Sequence, residues 1–525
     1  MRVLIAASIL ALSCASTAQA EAPPAVKADA TRAVEARASE LATMIDQVFS
    51  YAEPGFQEVK TSAYLAGVLE KNGFKVQRGV AGVPTAFTAT WGEGGPLIAL
   101  GSDIDALLGL SQTPGVAAAK PMVAGAPGHG EGHNSGLPMM IVAAISAKEA
   151  MQKHGIKGRI MVWPGVAEEL IATKAYYVRA GLFDGVDANL FAHVGSDLDT
   201  TWGPLKQTAA LSVEYTFTGR TAHAAANPWD GKSALDAVEL MDAGWNFKRE
   251  HLPVSQRSHY VITNGGNQPN IVPGQASVWY YFRDSSLGAV KTMYDSANRI
   301  AEGAALMTNT SVTRRVLGHA ATNFGNRPIA EAAFANMQAV GLPKWTDTDR
   351  AFARAVQTGF GRETKPMGTE GPHLWTPDRP DPEASSGSDD IGDIMWTVPT
   401  ITIRYPSNIP GLSAHNVMAA AAMATPIAHK GALAGAKVAA LTVLDLMTTP
   451  DLLARAKAWQ QEVQFKSERY QPLLGPEDKP ATHLNADLMA RMRPAMEPFY
   501  FDAKKYRSYL EQLGISYGAP AKPAP

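Results

Sequence analysis

A chain of 525 residues is too long for one compact core, so two or more domains are expected. Hydrophobic residues at 46% and charged residues at 18% give the balance of a globular protein, which excludes a disordered chain. A formal charge of −2 offers no clustered excess of Lys and Arg, which excludes nucleic acid as a partner and leaves a small molecule as the expected one.

The first twenty residues, MRVLIAASILALSCASTAQA, place Arg2 ahead of an apolar core and close on Ala18-Gln19-Ala20, the pattern of a cleaved signal peptide. The apolar core is too short to anchor in a bilayer. A mature chain beginning at Glu21 would be exported, most simply to a bacterial periplasm. A lipoprotein reading through Cys14 fits less well, because Ala11-Leu12-Ser13 departs from a leucine-first box. Cys14 is the single cysteine, so the folded part offers no disulfide, no thiolate ligand and no thiol nucleophile. No later run reads as a membrane span, since the Ala-rich stretch 418–446 is broken by Pro426, His429, Lys430 and Lys437.

Residues 21–35, rich in Ala, Pro and charge, read as a linker. Helical spacing follows over 36–72, with Leu41, Met44, Ile45 and Val48, then Tyr64, Leu65, Val68 and Leu69. Beyond it, apolar runs end repeatedly on polar residues: LIALGSD at Asp103, RIMVWPGVAEE at Glu168-Glu169, and NLFAHVG around His193. Helical stretches at 135–152 and 171–181 lie between these runs, the alternation of an α/β fold with a mostly parallel sheet. Ligands bind at the carboxyl ends of such strands, where these residues sit. From 206 the pattern changes. TAALSVEYTFTG, a helix over 231–248, HYVIT, ASVWYYFR, a helix over 286–305 and TSVTRRVLG give the order βαββαβ of a ferredoxin-like unit, which reads as an insertion spanning 206–322. It divides a catalytic domain into 36–205 and 323–518. Within the second part, 362–388 reads as a long loop, PTITIRYP as a strand, and 418–446 and 450–467 as helices; 519–525 reads as a disordered tail.

The run GHGEGHN at 128–134 leads into an apolar helix. Glu131 and His133 share a face if the run is extended, and Asn134 suits a helix cap. Alone, this is a capping turn as readily as a metal site. Glu168-Glu169 at the rim of a core strand need a compensating charge, and His193 interrupts an apolar strand. His415 follows another strand in PSNIPGLSAHN. Together these residues form the donor inventory of a carboxylate-bridged pair of divalent cations.

These motifs, with YAEPGFQEVKTSAYLAGVLEKNGFKV, SDIDALLGLSQ, GRTAHAAANPWDGKSALDAVELM, NQPNIVPGQASVWYYFR and SGSDDIGDIMW, resemble the amidohydrolase branch of the co-catalytic metallopeptidases. That branch includes aminoacylases, auxin-conjugate hydrolases and p-aminobenzoyl-glutamate hydrolases. The resemblance implies metal ligands at Glu131, His133, Glu169, His193 and His415, a general base at Glu168, and Asp105 orienting the histidines from behind. It implies two divalent cations, zinc or manganese, and hydrolysis of an N-acyl or N-aroyl amino acid. The inserted module would be a lid through which a homodimer forms, with His223 reaching an active site of the partner subunit to stabilise an oxyanion. Asn270 and Arg283 match lid positions that hold a substrate carboxylate, or else shape the QPNIVPG turn and a strand end. The family pattern departs twice: it has cysteine at Glu131 and proline at Leu108. The first exchange puts a hard donor in place of a soft one. A dipeptidase of the same superfamily and a catalytically silent binding protein of the same fold are the alternatives.

Overall fold

The alternation of apolar strands and helices builds one large sheet in the computed structural model, which describes residues 21–368, 371–382 and 387–518. The signal peptide 1–20 with Cys14 and the tail 519–525 lie outside the described residues. The chain first lays down β1 (Lys75–Arg78), β2 (Phe87–Glu93), β3 (Leu97–Asp103), β4 (Gly158–Gly165), β5 (Ala188–Gly195), β6 (Asp199–Thr201) and the short β7 (Gly203–Pro204). An inserted module then supplies β8 (Ala209–Thr218), β9 (Arg257–Asn264), β10 (Gln275–Asp284) and β11 (Ser311–Ala320). After it come β12 (Phe324–Gly325), which pairs with β7, then β13 (His373–Trp375) and β14 (Thr400–Pro406).

The large sheet has the order β1-β2-β4-β3-β5-β14-β6-β13. Its centre, β4-β3-β5-β14, is parallel, while β1 and β2 join antiparallel on one side and β6 on the other. Buried on both faces, β3 and β4 are nearly continuous apolar runs, as parallel strands require. The helices Pro24–Ala36, Gly136–His154 and Pro426–Thr448 pack on one another and against this sheet. The last is long and apolar enough to cross a membrane, but its most apolar window is 83% buried inside the fold.

Two readings change here. Residues 24–36 are not linker: Pro24 starts a helix at its first position, where a missing N–H costs nothing. Val26, Ala30 and Val34 recur every four residues and bury one face of it. The long loop 362–388 is interrupted by β13, which adds to the sheet edge parallel to β6.

The inserted module is an antiparallel sheet of order β11-β8-β10-β9 covered by the helices Ala234–Arg249 and Leu287–Thr308, the ferredoxin-like arrangement. Ser233 and Ser286 cap the two helices by accepting from Asp236 and Ala289 backbone N–H groups. Val238, Met241, Trp245, Val290 and Met293 meet Tyr215, Val278, Tyr280 and Phe282 of the sheet in a core separate from that of the body. The chain enters along β8 and leaves along β11, and Ala210 and Ala320 are cross-strand partners. The C-terminal segment straps module to body: Phe465, Tyr470, Leu473 and Leu474 pack on the module's core. Arg179 of the body donates to the carbonyls of Gly475 and Asp478, both at 2.7 Å.

Candidate metal centre

The carboxyl ends of the parallel strands deliver most of the site. β3 ends at Asp103 with Asp105 just beyond, β4 runs into Glu168-Glu169, and β5 carries His193. The turn before helix Gly136–His154 adds Glu131 and His133, and the loop after β14 adds His415. Gly132 has φ 129, and a Cβ there would lie 2.5 Å from Met423 Cε, so only glycine lets Glu131 and His133 flank this bend. Glu168–Leu170 form a single short turn held between Ala167 and Ile171, both at φ 52. His415 stands at φ 56. Left-handed backbone at β-branched Ile171 is a sterically costly conformation of the kind that collects at functional sites.

The structure brings all five expected donors together. Glu131 Oε2 lies 3.1 Å from His415 Nε2 and 3.9 Å from His133 Nε2, and Glu131 Oε1 lies 3.5 Å from His193 Nε2. His415 Nε2 is 3.3 Å from Glu169 Oε2. Two triads result, Glu131-His133-His193 and Glu131-Glu169-His415, each with donor atoms within 4.8 Å of one another, and Glu131 is the member they share. Asp105 sits behind them, its Oδ1 3.3 Å from His133 Nδ1 and its Oδ2 accepting from the Glu169 backbone N–H at 3.1 Å. His193 Nδ1 lies 3.0 Å from the Val194 carbonyl, and its Nε2 points toward Glu131.

This arrangement fits divalent cations. The donors are imidazole nitrogens and carboxylate oxygens. His133 Nε2 and Glu169 Oε1 are buried without a hydrogen-bond partner, an expensive condition that a cation would relieve. Burial, then the Arg404 guanidinium, push the His193 imidazole down to about 4, which keeps it neutral and able to ligate. Burial opposes ionisation of Glu131, but the hydrogen bond with His415 holds it well below the usual carboxylate range. Glu168 is pushed the other way, by burial first and then by Asp103, Asp389 and Glu169, well above that range.

The remaining expected residues divide. Arg283 lines the same cavity, of about 1140 Å³, as Glu131, Glu168, Glu169, His193 and His415. Its Nη1 donates to Ser388 Oγ at 2.6 Å. His223 and Asn270 do not reach that cavity in the single chain. They sit together on the exposed surface of the module, where His223 Nδ1 accepts from Ala225 and Ala226 N–H groups and the Asn270 carbonyl accepts from Ala224 N–H. Asn134 is not a cap: its amide donates to the Ile45 and Met423 carbonyls at 3.2 and 2.7 Å, tying the turn to its neighbours. His129 is a core histidine, with Nε2 3.3 Å from the Val48 carbonyl.

Sequence reasoning gave no role to Asp103, Lys174, Asp389, Asp390 and Arg404. Asp389, Glu168 and Arg404 line the cavity, and Arg404 Nη1 lies 3.1 Å from His193 Nδ1. Asp103 and the Asp389-Asp390 pair stand inside conspicuous motifs, SDIDALLGLSQ and SGSDDIGDIMW; nothing comparable marks Lys174.

Residues 205–308 match the peptidase dimerisation domain of the M20 family. The chain is 34% identical over 466 residues to one subunit of the p-aminobenzoyl-glutamate hydrolase of Escherichia coli (strain K12), a match covering 82% of this chain and 94% of that one. It is 27% identical over 382 residues to the Xaa-Arg dipeptidase of Mus musculus, covering 71% and 77% of the two chains. Its fold is similar to the crystal structure of an aminobenzoyl-glutamate utilization protein from Klebsiella pneumoniae, with a TM-score of 0.50 and 17% identity over 76% of this chain and 96% of that one.

Proposed function

We propose a reaction from one premise: the chain belongs to the amidohydrolase branch of the M20 metallopeptidases, and is therefore a metal-dependent hydrolase of amide bonds. The bond assigned is the amide between an acyl or aroyl group and an amino acid. The observation that carries this reading is the pair of donor triads joined through Glu131, with Glu168 beside them in one cavity. The name of the Escherichia coli relative supports an aroyl-glutamate, while that of the mouse relative supports a dipeptide. Comparing the two substrate types separates the readings.

Glu131, His133 and His193 would hold one divalent cation, zinc or manganese, and Glu131, Glu169 and His415 a second. Bound there, the cations supply Lewis acidity that lowers the proton affinity of water and polarises the scissile carbonyl. Glu168, in the same cavity as the donor triads, takes the proton from the attacking water and returns it to the departing amine. Arg283, half-buried in the cavity, is placed to hold a substrate carboxylate. His223 is exposed on the module and does not line this cavity, so its role as an oxyanion donor requires a second copy of the chain, docked through the inserted module. Export to a periplasm rests on the signal-peptide pattern of residues 1–20.

Glu168→Ala tests the assignment. Turnover of a p-aminobenzoyl-glutamate should fall by about 10²–10⁴-fold with metal content unchanged. Full turnover, or loss of metal in step with turnover, would overturn the role given to Glu168.

A further inference from the structure

Beneath Glu168 lies a buried polar cluster that the proposed steps leave unused. Lys174 has no exposed side-chain surface, and its Nζ lies 2.5 Å from Asp103 Oδ1 and in hydrogen-bond contact with Asp390 Oδ1. Asp390 Oδ2 also accepts from the backbone N–H groups of Lys174, at 3.2 Å, and Thr173, at 3.5 Å, so one carboxylate grips both ends of the lysine. The three residues come from the end of β3, the start of helix Lys174–Arg179, and the position just before helix Ile391–Met395. Gly165, at the end of β4, leaves the room: a Cβ there would sit 1.8 Å from Asp103 Oδ1 and 3.1 Å from Lys174 Cε.

A buried ammonium needs one counter-charge, and this one has two. The excess becomes intelligible through Glu168, whose carboxylate lies within 4.8 Å of Asp103 in one group and of Asp389 and Asp390 in another. Glu168 therefore has three carboxylates close by, with His133 sharing the Asp103 group, and it also lines the cavity; repulsion from the carboxylates favours that outward placement. That steering works only while Asp103 and Asp390 stay in place, and while the ammonium is saturated by them.

We propose that Lys174 is a positioning residue for Glu168: clamped between Asp103 and Asp390, it fixes the inner wall of the niche and is itself kept from capturing the base. The inference rests on the assignment of Glu168 as proton acceptor. Loss of either aspartate charge would free the ammonium toward the remaining neighbouring carboxylates, Asp389 and Glu168, and draw the base inward.

A double-mutant cycle on the metal-loaded protein tests this. Asp390→Asn and Lys174→Met, each made in the wild type, should lower kcat by about 10–100-fold with KM within about twofold. Metal content by elemental analysis should be unchanged. In a Glu168→Gln background the same changes should move the residual kcat by less than about twofold, because there is no base left to misplace. Asp390→Asn keeps the shape of the side chain and its acceptor for the Thr173 and Lys174 N–H groups, and decides the matter if Lys174→Met does not fold. Equal losses in both backgrounds, or metal lost in parallel, overturn the positioning role alone. A Glu168→Gln protein with undiminished kcat overturns the base assignment and the positioning role with it.

Discussion

Replacing Glu131 by alanine should weaken both cations at once. Its two carboxylate oxygens lie 3.1, 3.5 and 3.9 Å from His415, His193 and His133, and it is the one residue common to both triads. Without it, His133 and His193 remain on one side and Glu169 and His415 on the other, two side-chain donors where there were three. A structural zinc site with four ligands is worth roughly 10–16 kcal/mol, or about 3 kcal/mol per ligand. Each cation should then be held about 10²-fold more weakly. Dialysis against a graded series of chelator concentrations, followed by elemental analysis, reads this directly. The wild type should retain two equivalents at concentrations that strip Glu131→Ala. Glu131→Cys restores an anionic donor and should recover both equivalents, with preference moved from manganese toward zinc. A Glu131→Ala protein that keeps two equivalents with the chelator resistance of the wild type would refute the bridging role.

His223→Ala and Glu168→Gln should each be inactive alone, yet regain up to about a quarter of wild-type activity when mixed and allowed to exchange subunits, since half the dimers are then mixed and each has one complete site. Absence of recovery despite demonstrated exchange would place His223 outside catalysis. Arg283→Met should raise KM by about 10–100-fold, the loss of one charge-assisted hydrogen bond to a substrate carboxylate, with a smaller effect on kcat; steady-state kinetics on the glutamate and on its amide distinguish this from general damage. His129 supplies an acid-stability prediction. Burial, followed by the neighbouring His133, pushes it down to about 3 from an ordinary 6.5, so between those values the unfolded chain binds a proton that the folded one refuses. Its contribution is complete above pH 6.5 and is lost as pH falls toward 3, by up to roughly 5 kcal/mol. Denaturant titrations across that range should show a steeper loss for the wild type than for His129→Gln.

The parallel sheet and the inserted module were legible because their signals are local and periodic. Apolar runs such as LIALGSD and NLFAHVG can only be buried strands, and the capped helices of the module alternate with its strands in the order seen. Glu169 and His193 stood out as ionisable residues at or near the ends of apolar runs, while the full set with Glu131, His133 and His415 was named through the family resemblance of GHGEGHN and PGLSAHN. Lys174 escaped for the opposite reason. A lysine at the start of a short helix looks like an ordinary surface charge, and its partners Asp103 and Asp390 stand 71 and 216 residues away. The helix Pro24–Ala36 was readable from its proline and four-residue spacing, but a charged, alanine-rich composition masked it. Asn134 has the residue type of a cap, and what diverts it is a pair of distant carbonyls, one on the helix that carries Ile45 and one in the turn at Met423, which no local pattern announces. His223 and Asn270 lie on an outward face, a location that depends on how the module is oriented on the body.

The cross-strand pairing of Ala210 with Ala320 has a consequence for how such a protein is assembled. A unit of more than a hundred residues whose two ends are neighbours in one sheet is, for the rest of the chain, equivalent to a hairpin. Antiparallel partners lie about 5 Å apart, so excising the unit would leave a gap that one or two residues can bridge. The body can therefore keep its strand order whatever is grafted at that point, and what the graft adds to the cavity, Arg283 above all, reaches it from across that junction.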